Sequence, residues 1–201
     1  MKQILIHDCA VSLAPKSWKK KNKIAEYFKK TGRMPLINAS THQHLLRDIP
    51  LERRMDRPDI LHFALLLSLN YAKIRDLEVL FSVGNVLYKV DGETRLPRDQ
   101  QRFYGVLESV LAGKLNPFIQ RLDEKLDNML KGDIWFFSRT GDSGFKHIDV
   151  PEDLTLVFGG RAHSAPRSDE LSIHKKLNLG DQPLELWTAL SIVLPHVLGL
   201  P

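Results

Sequence analysis

Three arginines fall within eight residues of the stretch TRLPRDQQRF: Arg95, Arg98 and Arg102, threaded around Pro97. A guanidinium is a planar fork of donors that stays charged at any working pH and meets phosphate oxygens two at a time. With Pro97 at or near a first helical turn, Arg98 and Arg102 become i, i+4 neighbours, and Arg95 lies in extended chain before the proline. Two readings stay open. The arginines are a solvated helix start, or they converge on an anion. Cations at a helix N-terminus oppose the macrodipole, so the placement costs stability unless an anion is bound there.

A second constellation is RRMDRPDILHF, residues 53–63, where three arginines and Asp56 crowd before Pro58 and Asp59 follows it. A carboxylate beside arginines stays ionised and is positioned by charge-assisted hydrogen bonds. Such a pair either fixes a loop or presents a charged acceptor to a substrate. A third is LTLVFGGRAH, an apolar run ending in Gly159 and Gly160, which suits a plain turn or a close approach of backbone to a ligand.

Other chemistries find less support. Neither G-x-G-x-x-G nor G-x-x-x-x-G-K-[ST] occurs, so the sequence has no Rossmann fingerprint or phosphate loop. The GDSG at 141–144 has no triad in a matching order. His42 and His44 lack a carboxylate at metal-site spacing, and Cys9 is the only cysteine, which excludes an intramolecular disulfide and a multi-cysteine zinc site. No metal is expected.

These residues need elements to position them. Apolar runs predict strands at 3–7, 35–40, 59–69, 77–83, 86–90, 133–141 and 153–160, several of them continuous, as in strands buried on both faces. LEVLFSVGNVLYKVDGE reads as a hairpin turning at Gly84-Asn85. Helical spacing places Phe103, Val106, Leu107, Val110 and Leu111 on one face. It places Phe118, Leu122, Leu126, Met129 and Leu130 on another, in a helix ended by Gly132. A C-terminal helix is expected to open near Pro183 and to kink or stop at Pro195. Strands alternating with helices imply an α/β domain.

The chain has 201 residues, 43% of them hydrophobic, enough for one sizeable core. Lys and Arg outnumber Asp and Glu by 29 to 24, a net +5 that favours anionic partners, nucleic acid among them. The excess is uneven: residues 16–33 hold eight basic side chains against Glu26 alone. That stretch and residues 160–181 are expected to be mobile. Trp18 and Tyr27 within the basic stretch suit either stacking on bases or burial. The apolar run at 60–69 is about half of a bilayer span, and 1–13 is too short and too interrupted for a signal peptide, so a soluble cytoplasmic protein without membrane contact is expected.

Four segments taken in order, RRMDRPDILHFALL, ETRLPRDQQRFYGVLESVL, LTLVFGG and LGDQPLELWTAL, resemble one family: the small-subunit ribosomal RNA pseudouridine N1-specific methyltransferases of the knotted SPOUT class. The likeness runs from about residue 50 onward. It implies an α/β domain over 1–201 with a C-terminal trefoil knot, carrying a hairpin and helical extension at about 78–131. It further implies a homodimer, S-adenosyl-L-methionine as methyl donor, and a small-subunit ribosomal RNA substrate. By motif position, Arg57 and Asp59 resemble the catalytic pair at the target base. Arg95, Arg98 and Arg102 resemble the RNA-contacting arginines, with Arg57 and Asp59 also touching RNA. Thr140, Gly159, Gly160, Leu179, Gly180, Asp181, Gln182, Pro183 and Leu184 resemble the cofactor loops. Two stretches depart from the family: LLLSLNYA replaces a Leu-Asp-Ser-Pro-like step, and RAHSAPRSDELSIHKK follows the glycines. Two other functions compete: an RNA-binding ribosome-assembly factor with secondary or lost catalysis, and a related methyltransferase for another RNA uridine.

Overall fold

The computed structural model describes residues 1–50, 54, 56–142, 144–161 and 171–200. Seven strands form one sheet: β1 (Lys2–His7), β2 (Leu77–Val83), β3 (Val86–Val90), β4 (Ile119–Leu122), β5 (Asp133–Asp142), β6 (Leu154–Gly159) and β7 (Lys175–Leu177). Their order is β4-β3-β2-β1-β6-β5-β7. The run from β2 to β7 is parallel throughout, whereas β3 and β4 join it antiparallel. Five parallel strands therefore end on one edge. Ligand sites of open α/β sheets lie outside such carboxyl ends.

The alternation of the central strands fills two layers. Ile4 and Ile6 of β1 face a large core with Leu61, Leu65, Phe103, Leu107, Leu190 and Leu194. Leu5 faces the other side with Leu80, Phe136 and Val157. Helices α2 (Pro58–Ala72), α3 (Gln100–Leu111) and α5 (Leu186–Val197) supply the first layer. The second holds the one-turn α4 (Leu126–Met129) and its neighbours. The hairpin turns as expected, with Gly84 at φ 56, a conformation that favours glycine.

Five expectations change. Residues 59–69 are not a strand but the body of α2, with Pro58 at its first turn. A continuous apolar run has no diagnostic period, and this one is longer than an ordinary strand. One side of α2 packs against α5 and β2, and its less buried side carries Phe63, Leu66 and Leu67, so both sides are apolar. Residues 116–132 are not one helix. Asn116 Oδ1 accepts from the backbone N–H of Phe118 and Ile119, both at 2.9 Å, and the open edge of β3 then takes 119–122 as β4. Residues 35–40 make only an isolated bridge, Leu36 to Leu13.

The basic stretch is ordered: a 3₁₀ turn at Lys16–Lys20 and α1 (Asn22–Thr31) bury Trp18, Ile24, Ile37 and Ile49 in a small separate core. The C-terminal helix opens at Leu186 rather than near Pro183 and carries Pro195 in its last turn. Residues 162–170, nine of the 22 in the other segment expected to move, lie outside the described residues, as does Arg53. Among the described residues, no helix is long and apolar enough to cross a membrane.

Candidate functional site

The parallel strand ends enclose a cleft of about 530 Å³. From β5 come Phe137, Ser138, Arg139 and Thr140; from the end of β6, Phe158, Gly159 and Arg161. The loop after β7 adds Asn178, Leu179, Gly180, Gln182, Pro183, Leu184 and Glu185, and Ile60 of α2 closes one side. Of the nine residues expected in cofactor loops, seven line this cleft. Gly160 and Asp181 do not. Gly160 is a packing glycine: a Cβ there would stand 2.6 Å from Cys9 Sγ and 2.8 Å from Cys9 Cα.

The loop after β7 is held by Asn178. Its backbone N–H donates to the Asp142 carbonyl at 2.7 Å, and its Nδ2 to the Arg139 carbonyl at 3.2 Å. Its Oδ1 accepts from Gly180 N–H at 2.9 Å, and Gly180 sits at φ 147, open mainly to glycine. Where the wall meets β1, Arg161 forks onto Asp8, Nε to Oδ2 at 2.7 Å and Nη2 to Oδ1 at 2.9 Å. Asp8 is buried and at φ 53, a left-handed turn that Asp tolerates better than most residues. Burial pushes the neighbouring Cys9 thiol pKa up, which leaves it a packing group.

Beside this cleft stands the Arg57–Asp59 pair. Arg57 is the residue before Pro58 and caps α2 with its own amide tied to the Ala10 carbonyl at 2.9 Å. Asp59 lies in the first turn of α2, where the helix dipole favours a carboxylate. The expected strand-edge acid is therefore a helix-start acid. Arg57 Nε and Nη2 donate to Oδ1 and Oδ2 at 2.8 and 2.6 Å. The bond to Asp59 raises the Arg57 pKa, with Glu185 adding negative field from the cleft. The next residue after Asp59 is Ile60, a cleft wall. Pair and cleft are contiguous.

Tyr104 completes this corner from α3. Its hydroxyl accepts from Asn38 Nδ2 at 3.2 Å, and burial, with Asp59 adding, pushes its pKa up to about 12. His62, one turn along α2 from Asp59, is buried and stacks on Phe103 at 4.3 Å between ring centroids. Its Nε2 meets the Pro97 carbonyl at 2.7 Å, fastening the Arg95–Arg102 segment to α2.

The arginine segment itself differs from expectation in register. α3 starts at Gln100, and Asp99 caps it, Oδ1 accepting from Arg102 N–H at 2.9 Å. Arg98 thus precedes the helix, and the chain's own carboxylate meets the helix start. Arg95, Arg98 and Arg102 are all exposed and, among the described residues, none has a carboxylate partner. Any anion gripped here is held by guanidiniums rather than by the helix end.

Sequence reasoning did not find Asp8, Arg161, His62, Tyr104 or Glu185. Only Asp8 left a signal, a polar residue ending a buried strand. Among the described residues, no three His, Cys, Asp or Glu side chains gather as a metal site.

The profile of the EMG1/NEP1 methyltransferase family matches residues 4–197. A ribosomal RNA small subunit methyltransferase Nep1 of Thermococcus onnurineus is 29% identical over 96% of both chains. The protein of that name from Pyrococcus furiosus is 29% identical over 95% of this chain and 93% of its own. The crystal structure of Archaeoglobus fulgidus Nep1 bound to S-adenosylhomocysteine superposes with a TM-score of 0.85, covering 98% of this chain and 96% of that one at 23% identity, which shows a shared fold. The chain belongs to the EMG1/NEP1 methyltransferase family.

Proposed function

We propose that this protein is an S-adenosyl-L-methionine-dependent methyltransferase that methylates N1 of a pseudouridine in small-subunit ribosomal RNA. The observation carrying this reading is the contiguity of the Arg57–Asp59 pair with the cleft, through Ile60 and Glu185. The cleft has the size of a small-molecule site and mixes apolar walls with loop backbone. Phe137, Phe158 and Leu186 suit an adenine, Arg161 and Lys176 a carboxylate, and Glu185 a cationic centre. Thr140, Gly159, Leu179, Gly180, Gln182, Pro183 and Leu184 would hold the cofactor directly. Gly160 and Asp181 would act through their neighbours.

When bound, S-adenosyl-L-methionine supplies a methyl group already activated on a sulfonium, so alignment is the main demand on the protein. Each Asp59 oxygen keeps acceptor capacity beyond its bond to Arg57. Asp59 holds the N1–H of the target base and takes that proton as the N–C bond forms, while Arg57 fixes the carboxylate and neutralises it between turnovers. Arg95, Arg98 and Arg102 grip phosphates of an RNA loop so that one base can leave its stack.

The finer architecture belongs to the same proposal. The chain 1–201 acts as one domain, its C-terminal part threaded as a trefoil knot, with 78–131 as its hairpin and helical extension. It works as a homodimer in the cytoplasm. Phe63 and Leu184 are 50% and 41% exposed, and Phe63 meets Trp187 edge-on at 5.6 Å, an apolar surface across α2 and α5 that suits a second copy.

The test is methyl transfer to a ribosomal RNA loop containing pseudouridine, against the same loop with uridine, read by mass spectrometry. One methyl gained on the first RNA alone is expected. RNA binding without transfer to either would overturn the reading in favour of an assembly factor, and transfer to uridine would move the substrate.

A further inference from the structure

The positive charge of this chain is concentrated in one lobe. Residues 16–33 carry eight cations and one carboxylate, a net +7 against +5 for the whole sequence. In the structure these residues rest on their own small core around Trp18 and Ile24, leaving Lys16, Lys20, Lys23, Lys29 and Lys30 exposed. None of these five pairs with a carboxylate among the described residues. Isolated surface lysines need no explanation. A crowd of unpaired ones repels itself and is tolerated only at a cost.

The lobe is clamped onto α3 beside the arginine segment. Buried Glu108 accepts from Tyr27 Oη at 2.6 Å and from Leu36 N–H at 3.1 Å. Arg33 Nε lies 3.7 Å from the same carboxylate, and its Nη1 donates to Ser109 Oγ at 2.9 Å. Gly105 borders this clamp: a Cβ there would stand 3.4 Å from Arg33 Nη2, an ordinary contact with the end of a flexible side chain.

Between α1 and α3 the clamp leaves an open groove of about 550 Å³, lined by Tyr27, Arg33, Arg102, Gly105, Lys114 and Asn116 among others. It follows α3 from Arg102 past Ser109, two turns or about 10 Å, and continues beyond the helix end. Arg102 and Lys114 have no carboxylate partner among the described residues. On α1, Lys23 and Lys30 stand four residues before and three after Tyr27, so they share its face and flank the groove.

We propose that this groove is a second RNA site, holding phosphates of the strand that flanks the target loop. Arg102 joins it to the loop grip, and Lys23, Lys30 and Lys114 carry the flank. Charge complementarity fixes the partner class: a cationic, open, polar trough with an aromatic edge fits a nucleic-acid backbone. The proposal rests on the RNA-methyltransferase reading of the Arg95–Arg102 segment and extends the footprint onto the N-terminal lobe.

The experiment compares wild type with the triple variant Lys23→Ala/Lys30→Ala/Lys114→Ala, none of whose side chains enters the cleft or the lobe core. Fluorescence anisotropy measures affinity across a salt series for two RNAs, the bare target loop and the same loop with its flanking strands. Wild type should bind the longer RNA more tightly and with the steeper salt slope. The variant should lose that difference, its slope shallower by roughly 2 and its affinity for the long RNA roughly 10- to 100-fold weaker. Its affinity for S-adenosylhomocysteine should stay the same. A variant with the wild-type slope on the long RNA overturns the inference. So does wild type binding both RNAs alike, or a variant equally weakened on both. Failure of wild type to bind either RNA overturns the function reading as well.

Discussion

Arg57 forks onto both oxygens of Asp59, two residues further along the chain, at 2.8 and 2.6 Å across the start of α2. Arg57 caps the helix from non-helical backbone while Asp59 is already in its first turn, which lets so short a loop close in bidentate geometry. The pair faces Tyr104 on one side and the Glu185 wall of the cleft on the other. A carboxylate held by a partner on its own helix is oriented before substrate arrives.

Asp59→Asn separates charge from shape. The amide fills the same space but presents N–H toward a guanidinium that has only donors. Single-turnover methyl transfer should fall roughly 10²- to 10⁴-fold, the range of a lost general base, with RNA affinity changed far less. A rate within tenfold of wild type would make Asp59 a positioning group alone. Arg57→Lys, which keeps the charge and loses the fork, should recover only part of the wild-type rate.

His62 connects the two halves of the site, because its Nε2 holds the Pro97 carbonyl while its ring stacks on Phe103. His62→Phe preserves the stacking and deletes the hydrogen bond, at a cost of about 1 kcal/mol and a Tm lower by roughly 2–4 °C. The Arg95–Arg102 segment loses its tether to α2, so RNA affinity should fall while S-adenosylhomocysteine affinity holds. His62→Gln, which restores a donor, should recover RNA binding. Equal losses for both ligands would show a general loosening instead.

The physical patterns that could be read in sequence are local ones. β1 and β6 follow from apolar runs that suit burial on both faces, and the β2–β3 hairpin from a glycine-first turn between two adjacent runs. α2 could not be told from a strand by its run of apolar residues, because its less buried face carries Phe63, Leu66 and Leu67 and so erases the 3.6-residue period. The segment 116–132 had a helical spacing that the open edge of β3 overrode. In the site, Arg57, Asp59 and the arginine segment stand out by type and spacing. Asp8 with Arg161 does not, for the partners are 153 residues apart and meet only because β1 and β6 lie side by side. His62 reaching Pro97 and Tyr104 reaching Asn38 are hidden for the same reason.

Tyr104 offers a spectroscopic readout of that corner. Its phenol titrates at about 12 rather than the ordinary 10.0, chiefly because burial disfavours the phenolate and partly because Asp59 is near. A pKa raised by folding means that the fold favours the protonated form. That contribution to stability is complete below about pH 10 and is lost as pH rises through about 12. Phenolate absorbance, with Tyr104→Phe as the subtraction, should show this late titration. In Asp59→Asn the midpoint should move down but stay above the ordinary value, because burial persists. An unchanged midpoint would place Asp59 too far away to act on this ring.

Gly160 ties the packing of β1 to the cleft. An added Cβ would stand 2.6 Å from Cys9 Sγ and 2.8 Å from Cys9 Cα, and the second of these is backbone that no rotamer can move. Gly160→Ala should therefore cost about 1–3 kcal/mol, as overpacking does, and lower Tm by several degrees. Pairing it with Cys9→Ala removes the sulfur but leaves the Cα clash, so stability should return only in part. The same shift would push on Arg161, the next residue, and on Asp8, which precedes Cys9, and so on the fork that closes one wall of the cleft. S-adenosylhomocysteine should then bind more weakly to Gly160→Ala even though Gly160 does not line the cleft. In the Cys9→Ala background its affinity should recover in step with Tm. Recovery of stability without recovery of binding would mean that Gly160 acts on the cofactor loops by a route other than the Asp8–Arg161 fork.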